Sequence, residues 1–256
     1  MSKASAITIA IIASVFVGFL VILGINKTTD TTDYSIYDTA HPIAADDNNG
    51  QIADRVRGNR DAKFFLVEYA DLSCAMCGEA NPIIESYLED KNGEVALIFR
   101  NYPVQASHPN AIAAASAAEA AGFIKKPASA LEDEATKAKI ATGFLDDTYY
   151  FEMLDLLFKN RTVWWAVDPS IRNDTFVDLF RRIAPEANVD EFLAHMGSDQ
   201  VKAKINFDLG LGRYQGVTGT PSYFLDNQKL DIPNITAIDS VLKPAIEAKL
   251  KYTNNI

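Results

Sequence analysis

Residues 64–82 read FFLVEYADLSCAMCGEANP and contain Cys74 and Cys77, the two cysteines of a 256-residue chain. Phe64 to Tyr69 is short, apolar and aromatic, the composition of a buried strand, whereas the stretch from Ala75 onward reads as a helix. Cys74 therefore stands at a strand-to-helix junction. Unpaired backbone N–H groups and the positive end of the helix dipole favour a thiolate there, and the thiolate is the nucleophilic form of cysteine. Glu68 sits inside the apolar run, where a carboxylate without a partner is costly and its pKa rises. An acid so placed can hold or release a proton; the alternative is an ordinary strand-end carboxylate. Pro82 falls within the helix pattern, where a kink is expected.

Three chemistries compete for the cysteine pair. A zinc site needs about four ligands, and the chain offers only His41, His108 and His195 besides the two sulfurs, scattered along the sequence. No metal is assigned on that basis. A structural disulfide closing so short a loop would stabilise little. Thiol–disulfide exchange suits the pattern best. From a different class, a non-enzymatic Cu(I)-binding protein could use Cys74, Cys77 and Met76 as soft ligands.

Outward from this stretch, the helix runs to about Asp90, Lys91 to Gly93 form a turn, and Val95 to Arg100 is a second apolar strand. Such a βαβ unit implies a parallel pair. About 110 residues of helical pattern follow Tyr102 and Pro103. Asn110 is the expected N-cap of an alanine-rich helix ending at Gly122. Residues 127–147 read as a solvated helix and loop supported by Asp133 and Lys137 at i,i+4. Tyr149 to Phe158, Thr175 to Ile183, Val189 to Met196 and Val201 to Tyr214 are further helices. Gly210 and Gly212 do not make a nucleotide loop, because no strand precedes them. Ser222 to Leu225 and Lys229 to Ile232 are strands about a turn at Asp226 to Gln228. Thr236 and Asp239 have the spacing of a capping box for a final helix to about Lys251, interrupted at Pro244.

The acid, the CxxC and the proline after it, in the wording VEYADLSCAMC with RNYP (100–103), HPNA (108–111) and GVTGTPSYF (216–224), resemble the DsbA-like branch of thiol–disulfide oxidoreductases in the thioredoxin superfamily. The resemblance implies an α/β thioredoxin fold, βαβ…ββα, with an inserted all-helical domain. It implies that Cys74 exchanges with client proteins, that Cys77 resolves the mixed disulfide, and that Glu68 manages the Cys77 proton. Thr220 and Pro221 resemble the cis-proline loop, which would offer backbone groups to an extended client chain. No cofactor is implied, and the family is reoxidised by a quinone-linked membrane partner. Ala75 and Met76 depart from the Pro-His or Pro-Tyr often found between the cysteines, which leaves the direction of electron flow open between a disulfide donor and a reductase or isomerase.

No charge lies between Lys3 and Lys27, and the apolar run Ala4 to Asn26 would make a helix of roughly 34 Å, enough to span a hydrocarbon core. A cleaved signal peptide is the alternative, but the run exceeds the usual apolar region and no A-x-A site follows. The expectation is a transmembrane helix preceding the fold, spanning through residues 4–26, with the catalytic domain on the extracytoplasmic side of the cell membrane, where disulfides persist. The domains expected are an anchor over 1–27, a solvated linker over 28–59, with docking of Tyr34, Tyr37 and His41 on the domain as the alternative, the first half of the fold over 60–105, the helical insertion over 106–214 and the second half over 215–256. His108, just before the first helix of the insertion, is expected to serve that helix start, the alternative being a place beside the sulfurs. A net charge of -10 without a basic cluster argues against nucleic acid as a partner.

Overall fold

Phe64–Ala70 forms the central strand β2 of a five-stranded sheet whose order is Arg55–Arg57 (β1), Val95–Asn101 (β3), β2, Ser222–Leu225 (β4) and Gln228–Leu230 (β5). The computed structural model describes residues 31–91 and 93–253. The expected anchor lies outside the described residues, and among those described no helix is long and apolar enough to cross a membrane. Strand β2 pairs in parallel with β3, Val95–Asn101, through the crossover helix α1, Ala75–Glu89. On its other side β2 pairs antiparallel with β4, Ser222–Leu225, which turns back into β5, Gln228–Leu230. Asp226 and Asn227 make that turn with φ of 49° and 61°, the left-handed region that short polar side chains tolerate.

The alternation of β2 sends its residues to two different cores. Leu66 and Ala70 face α1 and the helical layers, whereas Phe65, Val67 and Tyr69 pack with Ala96, Ile98 and Phe224 on the opposite face. Helix α1 continues through Pro82, whose missing N–H leaves the Gly78 carbonyl without its usual helix partner. The insertion comprises α2 (Ala111–Ala121), α3 (Ala128–Leu131), α4 (Glu134–Ala141), α5 (Tyr150–Lys159), α6 (Arg161–Trp164), α7 (Arg172–Ile183), α8 (Val189–Met196) and α9 (Asp199–Tyr214). Its alanines, Phe151, Leu154, Leu157 and Phe180 share one core with Cys77 and Phe99. The helical layer is thus continuous with the sheet rather than a separately cored domain. In α9 a Cβ on Gly212 would lie 2.8 Å from the Tyr102 ring, so this glycine serves close helix-to-sheet packing.

Four expectations need correction. The segment read as a solvated linker is docked from Asp33 onward. Tyr34–Ile36 forms a 3-10 turn, Tyr37 meets Phe207 edge-on at 4.8 Å, and Ile43 is buried against Phe207 and Leu211. Arg55–Arg57 then forms β1, antiparallel to β3 at the sheet edge. The physical reason is charge: Asp54 supplies a buried carboxylate 2.7 Å from Arg100 and 2.8 Å from Lys204, two cations that the interior could not otherwise hold. Within residues 127–147 there are two short helices rather than one; Asp133 caps α4 by accepting from Thr136, and Lys137 pairs instead with Glu134 at 2.7 Å. Asn110 precedes α2 without capping it, because its amide is engaged by the carbonyls of Trp164 and Val167 at 3.0 and 2.9 Å. The capping box at Thr236 is absent: Asn234 accepts from Ala237 N, and a π-helical turn over Ile238–Leu242 leads into α10, Lys243–Thr253, with Pro244 in its first turn.

Candidate active site

Cys74 is the N-cap residue of α1, with extended backbone angles of φ -75° and ψ 123°. The turn before it is shaped by Asp71, whose buried carboxylate accepts from Ser73 N at 2.7 Å and from Val104 N at 2.8 Å, while its carbonyl accepts from Cys74 N at 2.9 Å. His108 closes the arrangement with Nδ1 2.7 Å from Asp71 Oδ2. The imidazole therefore braces the turn that presents Cys74, nearer to the alternative beside the sulfurs than to the expected role at the helix start. Arg161 in α6 also reaches this turn, donating to the Ser73 carbonyl at 3.3 Å.

The two sulfurs have unlike surroundings. Cys74 is half-buried and Cys77 is fully buried, and both are thiols. Hydrogen bonding from the Cys77 thiol is the largest influence on Cys74; partial burial opposes it, and the Cys77 and Met76 amides and the Thr220 side chain add to it. Together they bring the Cys74 pKa down to about 6. Burial is the main reason that Cys77 is pushed well above its ordinary value, reinforced by its bond to Cys74 and by the charge of Glu68. Thus the Cys77 thiol, assisted by the amides of the helix start, stabilises the Cys74 thiolate, with no help from the side chain of Ala75.

Thr220 and Pro221 lie opposite. Their peptide bond is cis, and the Cys74 thiol is 3.3 Å from the Thr220 carbonyl. This loop is held from behind by Tyr102, which donates to the Val217 carbonyl at 2.8 Å, and by Ser222, which donates to the Gly219 carbonyl at 2.8 Å. The described residues bring Cys74, Cys77, Thr220 and Pro221 to one place, at the C-terminal end of β2.

Glu68 completes the site from below. It is 1% exposed, and burial is the first cause that lifts its pKa to about 7, with the Cys74 charge adding to the rise. Tyr223 donates to Glu68 Oε1 at 3.1 Å and opposes the rise, as does the charge of Arg57. That guanidinium is already committed to Glu85 at 3.0 Å and Asp155 at 2.8 Å. Glu68 can therefore hold a proton near neutral pH. Neither Tyr223 nor the Asp71–His108 pair was singled out from sequence. The HPNA motif contained His108, but its contact with Asp71 spans a sequence gap that periodicity does not bridge; Tyr223 comes opposite Glu68 only through the β2–β4 register.

A half-exposed thiolate at a helix start, a buried partner thiol and a cis-proline loop facing them make a thioredoxin-like site. The family model described as thioredoxin matches residues 51–131. With the helical layer inserted between β3 and β4, the fold is similar to that of solved DsbA-type structures. BdbD from Bacillus subtilis superposes with a TM-score of 0.56 at 17% identity, covering 83% of this chain and 98% of that one. The thiol-disulfide exchange protein alpha-DsbA2 from Wolbachia pipientis gives 0.51 at 21% identity, covering 69% and 77%. In sequence, the Na(+)/H(+) antiporter NhaA 3 of Salinispora tropica is 28% identical over 193 residues, 75% of this chain and 24% of that protein. The chain spans about a quarter of the length of the curated relatives it matches.

Proposed function

We propose that this protein is a thiol–disulfide oxidoreductase that introduces disulfides into reduced client proteins outside the cytoplasm, held to the membrane through residues 4–26. The observation that carries the exchange chemistry is the division of labour between the sulfurs: Cys74 is accessible and ionises at about 6, and Cys77 is sealed beneath it. In the oxidising direction a client thiolate attacks Sγ of Cys74 in the Cys74–Cys77 disulfide. That bond breaks, a client–Cys74 disulfide forms, and Cys77 leaves with the electron pair and takes a proton from Glu68. A second client thiolate then attacks the client sulfur and releases Cys74 as a thiolate. Two client thiols become a disulfide, and the enzyme disulfide becomes a thiol and a thiolate.

The stabilised Cys74 thiolate supports this direction, because what stabilises the reduced enzyme makes its disulfide a better oxidant. The uncharged apolar segment supports an extracytoplasmic site, and a disulfide donor there requires a reoxidising partner, for which a quinone-linked membrane protein is the fitting class. The Thr220–Pro221 loop offers the backbone against which an extended client would pair. Replacing Cys74 by Ser should abolish oxidation of a reduced client, and thiolate absorbance of the reduced protein should titrate near 6. The direction is tested by equilibrating the pair against glutathione: a potential toward about -120 mV fits a disulfide donor, whereas a value near about -270 mV would make the protein a reductant. Labelling an introduced surface cysteine on β5 with an impermeant reagent in intact cells tests the location; protection from the reagent would overturn it.

A further inference from the structure

Tyr223 lies directly across the β2–β4 ladder from Glu68, with its side chain buried and its hydroxyl donating to Oε1. Two residues earlier the same strand begins at the Thr220–Pro221 loop that faces Cys74. A single short strand therefore brings one group to the exposed sulfur and another to the buried acid. The tyrosine ring itself sits among Leu66, Ala80, Ile84 and Leu225, where phenylalanine would pack equally well. The hydroxyl is thus not required for filling the core. In the donor role it occupies one carboxyl oxygen, so that the proton of a neutral Glu68 resides on the other.

We propose that Tyr223 is a positioning residue for the proton on Glu68, and that its hydroxyl sets the pH at which Glu68 takes the proton from Cys77 and returns it. The proposal rests on the thiol–disulfide reading of the site. The titratable and charged groups that face Glu68 are Tyr223 from β4, Cys74 and Cys77 from α1, and Arg57 from β1. Arg57 is neutralised by Glu85 and Asp155, which leaves Tyr223 as the hydrogen-bond donor to this carboxyl among the described residues. Burial holds the phenol well above its ordinary value, with the Glu68 charge adding to the effect, so Tyr223 stays a donor whether Glu68 is charged or neutral. A donor of that kind favours the carboxylate. Without it, Glu68 should keep its proton to higher pH, and a neutral Glu68 cannot accept the Cys77 proton.

The test mixes the full-length reduced protein, in detergent micelles, with dithiobis(nitrobenzoate). Attack of the Cys74 thiolate on the reagent releases a first thionitrobenzoate and leaves a mixed disulfide on Cys74. Cys77 gives its proton to the Glu68 carboxylate and attacks Sγ of Cys74, breaking the mixed disulfide and releasing the second. The first release with no second, or neither, would defeat the exchange reading itself. With both releases present in the wild type, Tyr223→Phe should shift the pH profile of the second release upward. A hydrogen bond to a charged group of ordinary strength corresponds to about one to two pH units. In the Glu68→Gln background the tyrosine substitution should add nothing. A second-release profile for Tyr223→Phe that superposes on the wild type would overturn the proposal. If Tyr223→Phe fails to fold, carboxyl NMR of labelled glutamate in the wild type decides it. The Glu68 carboxyl and the Tyr223 ring signals should titrate with one shared midpoint, and separate midpoints would overturn the coupling.

Discussion

The two faces of the central sheet both bury carboxylates, and they treat them in opposite ways. On the face of Tyr69 and Arg100, Asp54 and Asp208 are matched by Arg100 and Lys204. Lys204 lies 2.8 Å from both aspartates, and Arg100 lies 2.7 Å from Asp54. Burial alone would raise the Asp54 pKa, but Arg100 and Lys204 overcome it and hold it well below the ordinary value. On the other face Glu68 receives one phenol and the distant charge of an Arg57 that other acids occupy. A buried acid with full cationic pairing keeps its charge and holds structure; one with a neutral donor exchanges its proton near pH 7 and can serve chemistry. The difference lies in the partners, since both carboxylates are almost fully buried.

That contrast can be broken experimentally. The largest effect is expected for Asp54→Ala, which leaves Arg100 and Lys204 short of a counter-charge and should cost about 3–5 kcal/mol in chemical denaturation; a loss below about 1 kcal/mol would mean that the network does not anchor the N-terminal segment. Glu68→Gln should act in the other direction. The folded pKa of Glu68, about 7, exceeds its unfolded value near 4.5, so ionisation of the unfolded chain penalises folding as pH rises through that window. The penalty is absent below the window and complete above it, and its removal should stabilise the reduced protein by about 3 kcal/mol at alkaline pH and by almost nothing in mild acid. Equal denaturation midpoints for the two proteins at both pH values would refute the raised pKa. An intermediate case is His108→Ala, which takes one of the partners from Asp71 while leaving two backbone donors; a loss of about 1 kcal/mol is expected, together with slower attack by Cys74. The smallest effect belongs to Lys137→Ala, which breaks an exposed pair with Glu134 and should change stability by less than about 0.5 kcal/mol. A larger change there would show that pairing without burial matters, and would weaken the contrast.

What was legible in the sequence follows the same division. The strand–helix–strand unit, the CxxC at the helix start and the main helices were readable because apolar periodicity and local capping operate within a few residues. Cys74, Cys77, Thr220 and Pro221 converge as the motif wording implied. The segment from Asp33 to Arg57 was readable only as a choice between a solvated linker and docking through Tyr34, Tyr37 and His41, and the structure takes the second. It lacks a periodic face and docks through scattered residues, Thr39, Ile43, Asn49, Ile52 and Asp54, whose partners lie far along the chain. Sequence showed Asp54 as one more acid in a polar stretch, and nothing local marks that its cations are Arg100 and Lys204. Tyr223 and the Asp71–His108 pair were hidden for the same reason, since each depends on a register or a crossing that only the assembled sheet supplies.

The long span of those partnerships also sets an order of events at the ribosome. Asp54 waits for Lys204, 150 residues downstream, and Thr39 for Asn227, 188 residues downstream. At elongation rates of about 5–20 residues per second the first interval is roughly 10–30 s. During that time Arg100 has its aspartate available but Lys204 and α9 do not yet exist, so the first strands and the CxxC helix must wait with one face of the sheet uncovered. The segment from Asp33 to Arg57 is thus made before the residues that secure it, and is fully held only once Lys204 and Asn227 have followed.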